Sequence, residues 1–194
     1  MIRKLVALGD KVCGYASCGD FIVLLAVRLY LIPIVFVGAR SKVLGFSGTL
    51  AWFSTPESEG GLGLPFPLLM ALIVTTTEVL GCISLIFGLC QRLMTLPLMA
   101  VMSGASIMVH WGNGWLAIAN KHMESSQRLQ GFMAWLGENF PLRYNYITEL
   151  GDPVILNNGM EFAVTYLIML LVLLVFGAGR YVSADYWIRK KFLD

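Results

Sequence analysis

Apolar residues fall along this chain in four long blocks, separated by stretches where Gly, Pro and charged residues gather. The blocks run from Phe21 to Ala39, Leu68 to Leu89, Met94 to Gly112 and Met160 to Ala178. Each approaches the roughly 20 residues that a helix needs to cross a hydrocarbon core. None alternates in polarity as a barrel strand would, and lipid leaves no partner for an open backbone, so each block predicts a transmembrane helix. The expected fold is an all-α membrane protein, a bundle of four transmembrane helices in a single domain over residues 1–194, with long non-cytoplasmic loops.

The segments between the blocks carry their own patterns. Before the first, Ile2, Leu5, Val6, Gly9, Val12, Cys13 and Ala16 recur at helical spacing, which suggests an interfacial amphipathic helix. No small-residue cleavage site follows the first block, so it reads as a span rather than a signal peptide. Arg40 to Pro67 is rich in Gly and Pro and is expected to be a loop with one short helical turn. Between Asn113 and Gly159, "SSQRLQGFMAWLGENF" puts Leu129, Phe132, Met133 and Leu136 on one face and predicts a helix resting on the membrane or capping the bundle. Trp52, Trp111, Trp115 and Trp135 all fall on that side, as an aromatic belt would place them.

Composition agrees with this reading. Of 194 residues, 57% are hydrophobic and 13% charged, and the mean hydropathy of +0.73 lies far from a soluble domain's balance. A net charge of +2 without a polybasic tract gives no reason to expect a nucleic-acid partner. Charge also orients the spans. The side holding both termini and the Arg92 turn carries eight Lys and Arg, Arg3, Lys4, Lys11, Arg92, Arg180, Arg189, Lys190 and Lys191, against five on the other. By the positive-inside rule both termini are expected in the cytoplasm, with Tyr186 and Trp187 as interfacial anchors.

Against this apolar background the polar residues stand out. Arg28 lies inside the first block, and a charge there costs at least about 2.5–3.5 kcal/mol unless it faces the bundle interior. Measured from the outer ends of the blocks, Arg28 and Glu78 both lie about 15–16 Å deep, which predicts a contact between them, with Thr75 or a carbonyl freed by Pro33 taking the remaining donors. Toward the outer face Lys42, His110, Asn158 and Glu161 extend the line, with Arg40, Ser103, Ser106 and Asn157 nearby. Arg28, Lys42, Glu78, His110, Asn158 and Glu161 are thus the expected ligand-binding residues of a polar cleft. An ion pair that only fixes helix register explains Arg28 and Glu78 equally well. Gly81, Ser84 and Gly88 share a face of the second block and suit close helix packing.

Redox and metal chemistry find little support. Cys13, Cys18, Cys82 and Cys90 form neither C-x-x-C nor a closed zinc spacing. Met99, Met102 and His110 would suit a soft ion such as Cu(I), although methionine is an ordinary gap filler in helix packing. The catalytic residues are not identified.

The sequence "VRLYLIPIVFVGARSK" followed by "TTTEVLGCISLIFGLCQR" resembles the DoxX family of small four-helix membrane proteins. More narrowly, "LAWF", "GLGLPFP", "VHWGNGWLAIA" and "VILNNGMEFAVTYLIMLLVLLVFGAGRYVSADYWI" resemble its HvfX branch. The family pattern matches Arg28, Gly38, Lys42, Glu78, Gly81, Gly88, Arg92, His110, Trp111, Asn158 and Glu161. DoxX-like proteins include a subunit of an archaeal thiosulfate:quinone oxidoreductase, and the HvfX branch is associated with the making of modified, copper-binding peptides exported to the periplasm. The resemblance therefore implies an accessory membrane protein of a copper or modified-peptide pathway, with a periplasmic peptide or a redox subunit as partner, or a homo-oligomer. The alternatives are a quinone-linked oxidoreductase subunit and a small-solute transporter. Quinone and copper are the cofactors it admits, and no motif in the chain encodes either.

Overall fold

The computed structural model describes residues 19–193, so the expected N-terminal amphipathic helix, with Cys13 and Cys18, lies outside the described residues. The described chain is helical, and its one β-type pairing is an isolated antiparallel bridge between Ile118 and Leu156. Helix α1 spans Asp20–Leu44, α2 Phe46–Ser54, α3 Pro67–Phe87 and α4 Gln91–Ala105. Helix α5 spans Glu124–Asn139, α6 Pro141–Thr148, α7 Glu161–Phe176 and α8 Ala184–Phe192. The described residues divide into two compact units, one made of those up to Ser103 and from Tyr166 onward, the other of Gly104–Thr165.

Among the described residues three helices are long and apolar enough to cross a membrane: Asp20–Leu44, Pro67–Phe87 and Gln91–Asn113, the last being α4 continued through a π turn and a 3-10 turn. The fourth apolar block forms a shorter helix than expected. It covers the 16 residues Glu161–Phe176, about 24 Å of rise against a core of about 30 Å. Gly177 at φ +82° and Gly179 at φ +92° stop it before Ala178. The first span, in contrast, overshoots Ala39 and carries Arg40 and Lys42 within its last turns, because no breaker intervenes before Gly45. Pro33 sits inside α1 without ending it.

In the first unit, Leu24, Leu31 and Val35 of α1, Cys82 and Leu85 of α3, Leu98 of α4 and Leu170 and Leu173 of α7 form one buried cluster. Gly81 lets α3 approach α4 closely, since a Cβ there would stand 2.6 Å from Leu98 Cδ1. The opposite faces expose Ile22, Leu29, Phe36 and Val37 on α1 and Leu69, Leu72, Ile83 and Phe87 on α3. Such apolar stripes are stable against lipid and unfavourable in water.

Two connections depart from expectation. Residues 40–67 are not mainly loop. Gly45 only interrupts the helix, and "FSGTLAWFS" folds into α2, burying Phe53 and closing with Thr55 Oγ1 donating to the Ala51 carbonyl at 2.7 Å. In the second unit the expected helix is present as α5, but Phe132 does not join the buried face. Ser126 and Leu136 are buried, whereas Phe132 is exposed and stacks on Trp135.

Candidate functional site

Arg28 is a buried side chain with four hydrogen bonds to backbone carbonyls. It is 1% exposed. Its Nε donates to the Leu85 carbonyl at 2.8 Å, Nη2 to Ile86 at 2.8 Å, and Nη1 to Ala178 at 3.1 Å and Val182 at 3.0 Å. Four of the five guanidinium N–H groups are thereby used on backbone carbonyls. Leu85 and Ile86 lie in the last turn of α3, where carbonyls lack intrahelical partners and the helix dipole is negative. The guanidinium acts as a cap supplied from another helix, and it ties the end of α3 to the segment between α7 and α8.

The expected Arg28–Glu78 contact is therefore replaced by two separate arrangements. Glu78 is paired with Lys42, whose Nζ donates to both carboxylate oxygens at 2.8 Å. The cause lies in side-chain direction. Side chains in a helix lean toward its N-terminus. Because α1 and α3 run antiparallel, as Arg28 against Leu85 and Lys42 against Glu78 show, residues at equal depth lean apart. Lys42 leans back into the span and Glu78 leans outward, so these two meet.

Space for the carboxylate comes from Gly38, where a Cβ would stand 3.3 Å from Glu78 Oε2. The Glu78 side chain is 6% exposed and that of Lys42 is 24% exposed. One turn away on α3, the Thr75 hydroxyl is buried without a hydrogen-bond partner, so it does not serve Arg28 as expected. The result is a partly buried ion pair in a notch left by Gly38, with one unused hydroxyl a turn away on α3.

The remaining expected site residues belong to the second unit. His110 Nδ1 lies 2.9 Å from the Asn158 carbonyl, which also accepts from Asn113 Nδ2 at 3.2 Å. Since a carbonyl only accepts, Nδ1 is the donor in this contact. Asn158 sits at φ +58° and contributes this carbonyl. Glu161 Oε2 accepts from the Ala117 amide at 3.1 Å, and its own amide donates to the Trp115 carbonyl at 2.9 Å. Asn157 Nδ2 donates to the carbonyls of Asn113 at 2.7 Å and Leu116 at 2.8 Å. These contacts join residues 110–117 to 157–161. Lys42 and Glu78 thus form one constellation and His110, Asn158 and Glu161 another.

Met99 and Met102 pack against the hydrophobic core of the first unit, the gap-filling role of methionine. Among the described residues no three His, Cys, Asp or Glu side chains cluster as metal ligands. Sequence reasoning missed Asp185, whose carboxylate accepts the Cys90 amide at 2.7 Å and the Gln91 amide at 2.9 Å and so caps α4 from α8. An acidic residue in a cluster otherwise basic was the available signal.

With this geometry in place, the comparison with known families is informative. Residues 23–111 match the DoxX family. The match starts within α1 and stops near the end of the third candidate span, and it includes Arg28, Gly38, Lys42, Glu78 and His110. No curated protein and no solved structure gives a significant match.

Proposed function

We propose that this DoxX-like protein is an HvfX-like accessory protein of the bacterial inner membrane, serving a periplasmic copper or modified-peptide pathway. In this reading α7 tilts little or thins the bilayer locally to make a fourth span, both termini are cytoplasmic, and the Gly104–Thr165 unit faces the periplasm. The observation that carries the proposal is the Lys42–Glu78 pair in its notch beside Gly38 and Thr75. A buried charge pair is weak evidence for stability, because apolar residues fill the same space at no greater cost. Inside a membrane such residues mark binding or transfer sites by default. Lys42 would hold an anionic or peptidic group and Glu78 would hold a cation or exchange a proton with it, while His110 Nε2 offers a second acceptor site in the other unit.

Purification of the full chain in native lipid, followed by mass spectrometry, metal analysis and an absorption spectrum, tests this directly. Copper or a peptide is the expected companion, lost in Lys42→Met and Glu78→Gln variants that still fold. A bound quinone would select an oxidoreductase subunit instead, and an unmodified small solute would select a transporter.

A further inference from the structure

A second polar cavity of the first unit has no part in that site. Its volume is about 570 Å³, and it opens where α1 and α4 begin and α7 ends. Three arginines line it, Arg92, Arg180 and Arg189, with Leu93, Phe176 and Ile188 forming apolar wall. The carboxylates beside them are already engaged. Asp20 accepts from Arg180 Nη2 at 2.9 Å, and Asp185 accepts the Cys90 and Gln91 amides.

Arg92 Nη2 donates to the Val175 carbonyl at 2.9 Å, which leaves most of that guanidinium's donors unused. Gly177 brings the backbone close to it, since a Cβ there would stand 3.4 Å from Arg92 Nε. Arg189 lies on α8 in an exposed basic turn with Lys190 and Lys191, preceded by the half-exposed Trp187. The cavity therefore combines convergent guanidinium donors, an apolar wall and an adjacent basic, aromatic helix at the ends of membrane-crossing helices.

We infer that this cavity binds the phosphodiester headgroup of an anionic phospholipid, with the acyl chains running along the apolar wall. Planar guanidinium groups suit phosphate oxygens. Basic pockets between membrane helices recognise such headgroups, whereas a freely diffusing phosphate would gain nothing from Leu93, Phe176 and Ile188.

Native mass spectrometry of the full chain, released from nanodiscs holding equal phosphatidylglycerol and phosphatidylcholine, measures the preference. Wild-type protein should retain phosphatidylglycerol at least about ten-fold over phosphatidylcholine, since each basic contact near an anionic lipid is worth about five-fold. Arg92→Gln with Arg189→Gln should abolish most of that preference, while the charge-matched Lys190→Gln with Lys191→Gln should lower it less than about three-fold. Equal losses in the two pairs would show diffuse surface attraction and overturn the site. So would a wild type without preference, or displacement of the lipid by millimolar inorganic phosphate, which would reveal a simple anion site. Among the described residues the Arg189 side chain makes no hydrogen bond, so a loss of about five-fold is expected from Arg189→Gln alone even if the Arg92 change prevents folding.

Discussion

Replacing Arg28 by methionine removes the one donor group that four backbone carbonyls share. The carbonyls of Leu85, Ile86, Ala178 and Val182 are left in a site where the original side chain was 1% exposed. An unsatisfied buried acceptor costs about 1–3 kcal/mol. The low end applies, because the contacts to the Ile86 and Val182 carbonyls are only partly buried. Four acceptors then give a loss of about 4 kcal/mol, similar to the 3–5 kcal/mol for removing one member of a buried ion pair. Arg28→Lys keeps the charge but presents three donors at one point, so it should lose about half as much. Thermal or denaturant unfolding in lipid nanodiscs would measure both. Near-ultraviolet circular dichroism would follow Trp187, whose Nε1 donates to the Tyr181 carbonyl in the segment that Arg28 anchors.

The same experiment discriminates this account from an Arg28–Glu78 pair. Arg28 and Glu78 share no partner in the structure, so Arg28→Met and Glu78→Gln should add to within about 0.5 kcal/mol in a double-mutant cycle. A coupling above 1 kcal/mol would refute the capping assignment, as would full stability in Arg28→Met.

Three further outcomes are expected. Lys42→Met and Glu78→Gln should be coupled by about 0.5–3 kcal/mol in the same unfolding assay, because the pair shares two 2.8 Å contacts; additivity would remove the pair. Gly88→Ala should destabilise by more than about 2 kcal/mol, since φ is +63° and a Cβ would stand 2.6 Å from Ser183 Cβ and 2.9 Å from Arg28 Nη1; Gly104→Ala, with nothing within 4 Å, should be neutral or stabilising by up to about 1 kcal/mol. Reporter fusions at Asn120 and at the C-terminus should mark opposite compartments, and agreement between them would refute the proposed four-span topology.

Much of the helical framework was legible because lipid permits few alternatives. Long apolar blocks without alternation must close their backbone hydrogen bonds locally, and the three candidate spans fall where the blocks predict. Helix ends were less legible, since they depend on single residues in context. Gly45 at φ −109° merely bends the chain between two helices, whereas Gly177 at φ +82° ends α7. Glycine content alone cannot separate these cases, and so residues 46–54 read as loop and Ala178 as helix.

The candidate site divides along the same line between composition and geometry. That Arg28 and Glu78 need partners follows from their charge in an apolar block, and both have them, Glu78 in Lys42 just beyond the first block. Which partner each takes depends on direction as well as depth. Depth counted from the outer ends places Arg28 beside Glu78, yet on antiparallel helices the two side chains lean away from one another by their own lengths. Counted instead from the Arg92 end, Arg28 lies eight residues into α1, close to the last turn of α3. The carbonyls there are unpaired by the helix itself, and Gly88, directly after that turn, leaves room for a guanidinium that a side chain would displace. An arginine near one end of a span and a glycine just beyond the end of its antiparallel neighbour therefore form a readable pair. In this chain they separate Arg28, a donor for backbone carbonyls, from Lys42 and Glu78, whose side chains pair with each other.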